Sequence, residues 1–406
     1  MNNKKIALID GDNFFASCEI LMNPSLKNKP VCVLSNNDGC IIARSKEAKQ
    51  IGVRMGMPYF MAKKEFGNYN IVYISADFSL YHDISIRMMN LLSKYSDIVD
   101  IYSIDEAFID LTNLDKYNRI SYINLITHIR ETILKEIGIS VSIGLSSSKT
   151  LAKIASHKAK NSCGVYIINN ENIHKELYKL DLEDIWGVGK NIARTLRSFG
   201  IFHAHEILNK DDEFFKYELG KKGLELKYEL QGQAIIPLIS KEEYPKSIQR
   251  TRAFPNFSSN KDYIMTELEL HLHNVCKKLR EKNQVTSIIS VMLRTKDFKV
   301  FVQEEKLDKA TNSEIVLKKY IRKLFNLLFN QNIIYRSSGI LAYSLEKNEK
   351  NQLSFFQDNL NIKENKLSRT IDELENKFGN GIIALGQSGI KTVQNEHKRQ
   401  MRFRPF

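Results

Sequence analysis

Three carboxylates carry the chemistry this sequence can do. Asp10 closes the run KKIALID, which reads as a short buried strand over residues 4–10. Asp105 and Glu106 sit in YSIDEAFID, within an apolar stretch that reads as a hairpin of two strands. Burying a charge is costly unless it is paired or bound to a metal. Acids on adjacent central strands could share two divalent cations about 4 Å apart, one activating a hydroxyl and one holding a triphosphate and its leaving pyrophosphate. Hard oxygen ligands favour Mg2+, which keeps waters and binds substrate phosphates. Taken singly, each acid could equally be a strand-end carboxylate facing water. The set, flanked by apolar residues, points to cations. Asp12 reads as a turn acid rather than a ligand.

The elements that must position these acids follow from periodicity. Residues 24–73 mix short pieces: a strand-like KPVCVLS, a turn-rich NNDGC and a helix-like ARSKEAKQIG. Leu80, Ile84, Met88, Leu91 and Leu92 give residues 77–95 a helical period. A helix is expected around 121–136, then a strand ISVSIGLS, then a helix from Lys149 to Lys160. The order strand, helix, strand–strand, helix, strand predicts an α+β sheet with helices on one face. From Asp181 to about Gly232, glycines break the chain into short helices. Pro237 and Pro245 mark residues 234–247 as a linker. Between Ser247 and Glu346, KSIQRTRAF, a helix at 261–282, SIISVMLRT, a helix at 313–330 and YRSSGILAYSL predict a second, smaller α+β unit. Beyond Asn348 the chain is polar, apart from the apolar island QLSFF.

Composition narrows the class. The chain has 406 residues, 60 Lys and Arg against 47 Asp and Glu, and a formal charge of +13. Such an excess suggests a polyanionic partner, nucleic acid or acidic membrane, with a merely soluble basic protein as the alternative. The length predicts about two to four folded units. Cys18, Cys32, Cys40, Cys163 and Cys276 form no close pair and are odd in number. That argues against a zinc site or disulfide framework and for a reducing compartment. The N-terminus is not a signal peptide, because Asp10 and Asp12 interrupt its short apolar run. No run of about 18 apolar residues exists, so a cytoplasmic protein with no membrane partner is expected.

Longer motifs supply a resemblance. IDGDNFFASCE followed by YSIDEAFIDL resembles the paired signature of the Y-family, lesion-bypass DNA polymerases. SNNDGCIIARSKEAKQIGVRMGMP resembles the finger segment of the UmuC-type branch. LSSSKTLAKIASHKAKNSCG resembles the family's segment that reaches the triphosphate, and IWGVGKNIARTLRSFGI its thumb motif. The resemblance runs from about residue 4 to the end. It implies a right-hand α+β polymerase. The palm would be 1–23 and 74–170, small fingers 24–73, a helical thumb with a helix-hairpin-helix 171–235, an α+β little finger 246–347 and a tail 348–406. It implies error-prone translesion synthesis in the bacterial DNA-damage (SOS) response. Two Mg2+ ions, primer-template DNA and deoxynucleoside triphosphates come with that activity. A sliding clamp, a UmuD-type dimer and RecA are the implied protein partners.

Carried over residue by residue, Asp10, Asp105 and Glu106 match the metal-binding acids, and the Gly11 carbonyl a further ligand. Phe14 and Phe15 fall at the nucleotide pocket. Phe15 matches the sugar steric gate, an aromatic ring that would reject a 2′-hydroxyl by clash; core packing is the alternative, chiefly for Phe14. Lys49 and Lys160 are the candidates for binding the triphosphate; for either one alone a solvated surface charge is an equal alternative. Many members carry Tyr-x-Ala-Arg where this chain has Lys46, Glu47, Ala48 and Lys49, so Arg44 is a candidate substitute. Gly39, Cys40, Ile42 and Gly56 match the roof over the nascent pair.

Gly187 and Gly189 open a helix whose free N–H groups could hold a DNA phosphate, with a plain helix turn as the alternative. Arg250 and Arg252, with Lys277, Lys278, Arg280, Lys282, Arg294 and Lys296 in the same unit, would neutralise further phosphates; a solvated helix face is the alternative, favoured for Lys277 and Lys278. Gln352, Leu353, Phe355 and Phe356 resemble a clamp-binding peptide, with a last core strand as the alternative. Two other functions compete. Another palm-type nucleotidyl transferase, such as a cyclase, would leave the helix-hairpin-helix and the basic C-terminal unit without a role. A non-catalytic DNA-binding scaffold would not need the intact acid set.

Overall fold

The computed structural model describes residues 4–178, 180–239, 244–348 and 359–378. The chain divides into two compact units, Met1–Glu242 and Glu243–Phe406.

The first unit runs β1 (Ile6–Gly11), α1 (Phe14–Met22), β2 (Val31–Leu34), β3 (Ile41–Arg44), α2 (Lys46–Gln50), α3 (Tyr59–Glu65), β4 (Val72–Ser75) and α4 (Phe78–Leu92). It continues through β5 (Val99–Ile101), β6 (Glu106–Asp110), α5 (Leu114–Asn118), α6 (Tyr122–Ile137), β7 (Val141–Ser146), α7 (Lys149–Ala159) and β8 (Val165–Ile167). It ends in five short helices: α8 (Ile173–Leu177), α9 (Lys190–Ser198), α10 (Ala204–Ile207), α11 (Asp212–Glu218) and α12 (Gly220–Leu230).

The main sheet has the order β5-β6-β1-β7-β8. Helices cover both of its faces, not one as the element order suggests. On one side Met88 and Leu92 of α4 and Ile126 and Ile129 of α6 pack with Ile9 and Ile143. On the other, Ala152 of α7 packs with Ile6, Leu8 and Phe108. The reason lies in the sequence: β1 and β7 are buried at every position. Consecutive burial, rather than alternation, requires a cover on each side. Gly144 lets α7 come this close, since a Cβ there would fall 2.0 Å from the Ser156 nitrogen.

A small sheet, β3-β2-β4, forms between β1 and α4 in the chain. Here the helix expected from Ala43 starts later. Ala43 and Arg44 belong to β3, and α2 begins after Ser45, whose side chain accepts the Ala48 N–H as an N-cap.

The helical segment is tied to α7 by a fully buried carboxylate. Glu229 accepts the Thr150 N–H at 3.0 Å and those of Ile235 and Ile236 at 2.8 and 2.9 Å. Beside it, Lys149 pairs with Asp100 and donates to the Pro237 carbonyl at 2.7 Å. Residues 234–239 are therefore fastened to the first unit. The stretch read as a free linker over 234–247 is shortened from its N-terminal side.

The second unit contains β9 (Ser247–Ser258), α13 (Lys261–Glu281), β10 (Gln284–Thr295), β11 (Val300–Thr311), α14 (Glu314–Leu328), β12 (Tyr335–Lys347) and α15 (Asn359–Phe378). Its sheet has the order β11-β10-β12-β9. Leu268, Leu272, Leu317 and Ile321 of α13 and α14 pack against Val291, Leu293 and Ile340. β11 escapes the hydrophobic pattern because it is an edge strand with one fully buried side chain, Leu307.

The polar chain expected beyond Asn348 is corrected over 359–378 by helix α15. Its Asp372 takes Arg280 at 2.6 and 2.7 Å, and its Glu375 takes Lys277 at 3.0 Å. His273 lies between Glu314 at 2.8 Å and Glu375 at 3.1 Å, and the Glu314 carboxylate first among these holds its pKa above the ordinary histidine value. Arg280, expected to meet DNA phosphates, and Lys277, for which a solvated helix face is the favoured expectation, are instead engaged in packing α15 onto α13. Among the described residues no helix is long and apolar enough to cross a membrane.

Glu229 is the sharpest test of how the helical segment is held. Glu229→Leu leaves the buried Thr150 N–H and the partly buried Ile235 and Ile236 N–H groups without their acceptor and should cost roughly 3 kcal/mol. Urea unfolding of the variant measures it, and a loss well under 1 kcal/mol would contradict this account.

Candidate active site

The register of β1 on β6 sets Asp10 directly opposite Glu106. The Gly11 N–H donates to the Asp105 carbonyl at 2.9 Å. The three acids expected to act together therefore share one end of two adjacent central strands. Burial is the main force on Asp10, which is 9% exposed. It pushes the Asp10 pKa up to about 7, and the Glu106 and Asp105 charges push the same way, against the pull of Lys160.

Each acid is held by its own partner. Lys160 donates to Asp10 at 2.7 Å, and Lys153 to both Glu106 oxygens at 3.0 Å. The Ser103 hydroxyl donates to Asp105 at 2.6 Å. Among the described residues no three acidic, histidine or cysteine side chains converge as a finished cation cage. The donor chemistry nevertheless fits a hard cation: an all-oxygen set, strongly desolvated, with lysine ammoniums standing where positive charge is needed. Asp12 belongs to the turn. Its two oxygens accept the Ser140 and Ser142 hydroxyls, each at 2.7 Å.

The chain turns sharply after β1. Asn13 adopts a left-handed conformation, φ 51°. A Cβ on Gly11 would lie 2.8 Å from the Phe14 ring. Phe14 is 3% exposed and packs in the core, whereas Phe15 is only half-buried. Phe15 stacks on Tyr81 at 4.4 Å and 16°, with Phe78 edge-on at 5.9 Å. Tyr81 is itself fixed by donating to the buried Glu19 at 2.6 Å.

The three candidate cations for the triphosphate gather on the same side. Burial lowers the Lys49 pKa, and the Arg44 and Lys160 charges lower it further, while Asp12 and Asp10 oppose them. Arg44 lies on β3 and donates to the Val53 carbonyl. Three cations within electrostatic reach of one another suit an anion.

Comparison with known proteins shows the family. Residues 9–157 match the impB/mucB/samB family, and residues 245–355 match that family's C-terminal domain. Protein UmuC of Salmonella typhimurium is 31% identical over 411 residues, which is 97% of this chain and 96% of the relative. The chain belongs to this UmuC-type branch of the Y-family DNA polymerases. DNA polymerase IV 1 of Bacillus subtilis is 28% identical over 96% of this chain and 94% of its own length. Among solved structures, a Y-family DNA polymerase chimera, Dbh-Dpo4(243-245)-Dbh, superimposes with a TM-score of 0.70 at 28% identity. It is matched over its whole length and covers 85% of this chain. An insertion ternary complex of Dbh DNA polymerase gives 0.59 at 27% identity, covering 85% of this chain and all of its own.

The remaining candidates of this Y-family member are placed as follows. Gly189 is the N-cap of α9, with no side chain capping the helix start. Gly187 has φ +86°, and space around both glycines is open. Arg250 and Arg252 pair across to Ile340 and Ser338 on β12. They lie on the α13 side of the edge strand, where their charges join burial in holding the His271 pKa down to about 3. Strand alternation leaves Gln249 and Thr251 on the face that no described helix covers. The clamp-like Gln352, Leu353, Phe355 and Phe356 lie outside the described residues.

Sequence reasoning missed Lys153, Tyr81 and Ser103. Lys153 left a usable signal: it sits seven residues before Lys160, on the same helical face. The two glycines should respond differently to alanine. Gly187→Ala forces a Cβ into left-handed backbone and should cost about 1 kcal/mol. Gly189→Ala meets ordinary extended backbone and should stay within about 0.5 kcal/mol of wild type. Denaturant unfolding of both variants checks this, and equal losses would contradict it.

Proposed function

We propose that this Y-family polymerase carries out template-directed, error-prone translesion synthesis with Asp10, Asp105 and Glu106 as its catalytic acids. The observation that carries the reading is the Asp10–Glu106 register, with the Asp105 carbonyl bonded to Gly11, which brings the three acids to one end of the sheet and sets Asp10 within electrostatic reach of Lys49 and Lys160. When bound, two Mg2+ ions on these acids and the Gly11 carbonyl would supply Lewis-acid stabilisation for attack of a primer hydroxyl and loss of pyrophosphate. Arg44, Lys49 and Lys160 bind the triphosphate and neutralise charge as it develops. Phe15 excludes a 2′-hydroxyl, and its stacking on Tyr81 keeps the ring from yielding. Phe14 supports the turn from within the core.

In this reading residues 1–23 and 74–170 are the palm, 24–73 the fingers, 171–235 the thumb and 246–347 the little finger. The fingers are small, so the nascent base pair is judged mainly by pairing and stacking, and misshapen bases are accepted. Gly187, Gly189, Arg250 and Arg252 grip phosphates without reading sequence, which gives a weak, salt-sensitive hold. A sliding clamp bound by Gln352, Leu353, Phe355 and Phe356 would offset that weakness by raising effective concentration at the primer end. The resemblance also implies a UmuD-type dimer and RecA as accessory partners, and a cytoplasmic setting; stimulation of the pure chain by those proteins tests the first.

A primer-extension assay with Mg2+ and four deoxynucleotides tests the core of the proposal. Asp105→Asn and Glu106→Gln should each lose more than about 100-fold in rate while binding primer-template normally, and near wild-type extension by either would refute the assignment. Phe15→Ala should incorporate ribonucleotides while retaining most deoxynucleotide use. Unchanged sugar selection would assign the ring to packing alone. Replacing Gln352, Leu353, Phe355 and Phe356 together by alanine should abolish stimulation by added clamp and spare basal synthesis. Stimulation that persists would rule out this tether.

A further inference from the structure

Lys153 has no part in the reading above, yet it is bound on two sides. Its ammonium donates to both oxygens of Glu106 at 3.0 Å. It also lies 4.5 Å from the centre of the Tyr102 ring and 5.8 Å from that of Trp186. Trp186 is the single tryptophan of the chain. Its Nε1–H donates to the Tyr102 hydroxyl oxygen at 2.9 Å, and the two rings meet edge to face at 5.3 Å. The next residue is Gly187, which opens the hairpin before α9. Contacts thus run without a break from a candidate catalytic acid, through Lys153 and Tyr102, to the helix-hairpin-helix.

This arrangement differs from an ordinary surface ion pair. The Glu106 side chain is 15% exposed and that of Lys153 28%, so water screens the pair poorly. The aromatic faces give the ammonium a second favourable partner and hence a defined place. Both carboxylate oxygens are occupied. A divalent cation that takes Glu106 as a ligand must therefore compete with Lys153.

We propose that Lys153 is a positioning residue that holds the Glu106 carboxylate until a divalent cation takes it, and that the exchange is felt at Trp186 through the shared Tyr102 ring. The inference rests on the cation-binding reading of Glu106. It adds that the cation site is filled by an internal ammonium beforehand, which keeps two facing acids from repelling each other and sets the direction of Glu106.

The test uses the full chain, with Mn2+ binding followed by electron paramagnetic resonance and Trp186 emission recorded in the same titration. In wild type the two signals should share one midpoint. Lys153→Met keeps the length and removes the charge. It should bind Mn2+ roughly three- to tenfold more tightly, since its competitor is gone, and its Trp186 emission should no longer follow the cation. Lys153→Arg should restore the emission response. With no cation present, Glu106→Gln should alter Trp186 emission in the wild-type background and not in Lys153→Met. Tyr102→Phe keeps the ring and removes the acceptor for Trp186. It should bind Mn2+ as wild type does, with a weakened emission response, which preserves a test if Lys153→Met folds poorly. A Lys153→Met midpoint that is unchanged or weaker, or emission that still tracks the cation, overturns the proposal and leaves the cation site standing. Mn2+ binding that is indifferent to Glu106→Gln overturns the cation site and the proposal together.

Discussion

Repulsion among buried like charges is the constraint around which the first unit is organised. Asp10 and Glu106 face each other across two central strands with Asp105 beside them; Asp10 is buried and the other two are partly buried, so water screens them poorly. An apolar strand pair would be more stable without these acids. The fold tolerates them because α7 lies across the sheet and delivers Lys153 and Lys160 to Glu106 and Asp10. Burial first, and the Glu106 and Asp105 charges after it, hold the Asp10 pKa above the ordinary carboxylate value in spite of Lys160. A site whose charges are only partly neutralised from within is prepared to receive cations and phosphates from outside.

That makes α7 the element on which most of the unit turns. Its inner surface is small enough, through Ala152 and the facing Gly144, to approach the sheet closely. Its N-terminal end is gripped by Glu229 and carries the buried Lys149–Asp100 pair. The same two groups fix residues 234–239. One helix therefore sets the position of the acids, of α12 and of the chain leaving the unit. A shift of α7 would be transmitted to all three, because packed interiors have little room to absorb it.

The second unit spends its charges differently. Arg280 and Lys277 are tied to Asp372 and Glu375, and His273 bridges two glutamates. Counting basic residues overstated the positive surface there, since part of it serves to dock α15. The arginines of β9 keep to the helix side of the edge strand. The uncovered sheet face is less charged than the sequence of that strand implies.

How much was legible in advance follows from the range of the interactions involved. The strands that carry the acids, with β7, α4, α6 and α7 around them, were legible in the sequence, because hydrophobic periodicity is local and strong in IALID, EAFID and VSIGL; α1 and the short β8 were not. The sequence also carried the family resemblance, and it singled out the three acids that β1 and β6 bring to one end of the sheet. It missed β11, whose exposed edge leaves almost no apolar pattern, and α15, whose ends are polar and whose acids find their partners about a hundred residues away. Only the tertiary structure decided that helices cover both faces of the sheet. Only it decided that residues 234–239 are fastened, and that Arg280 faces Asp372 rather than solvent. Charge pairing is set by which elements meet in space, and no local pattern records that. Lys153 shows the division most clearly: its spacing placed it on the right face of α7, and only the approach of β6 gave that face a carboxylate to hold.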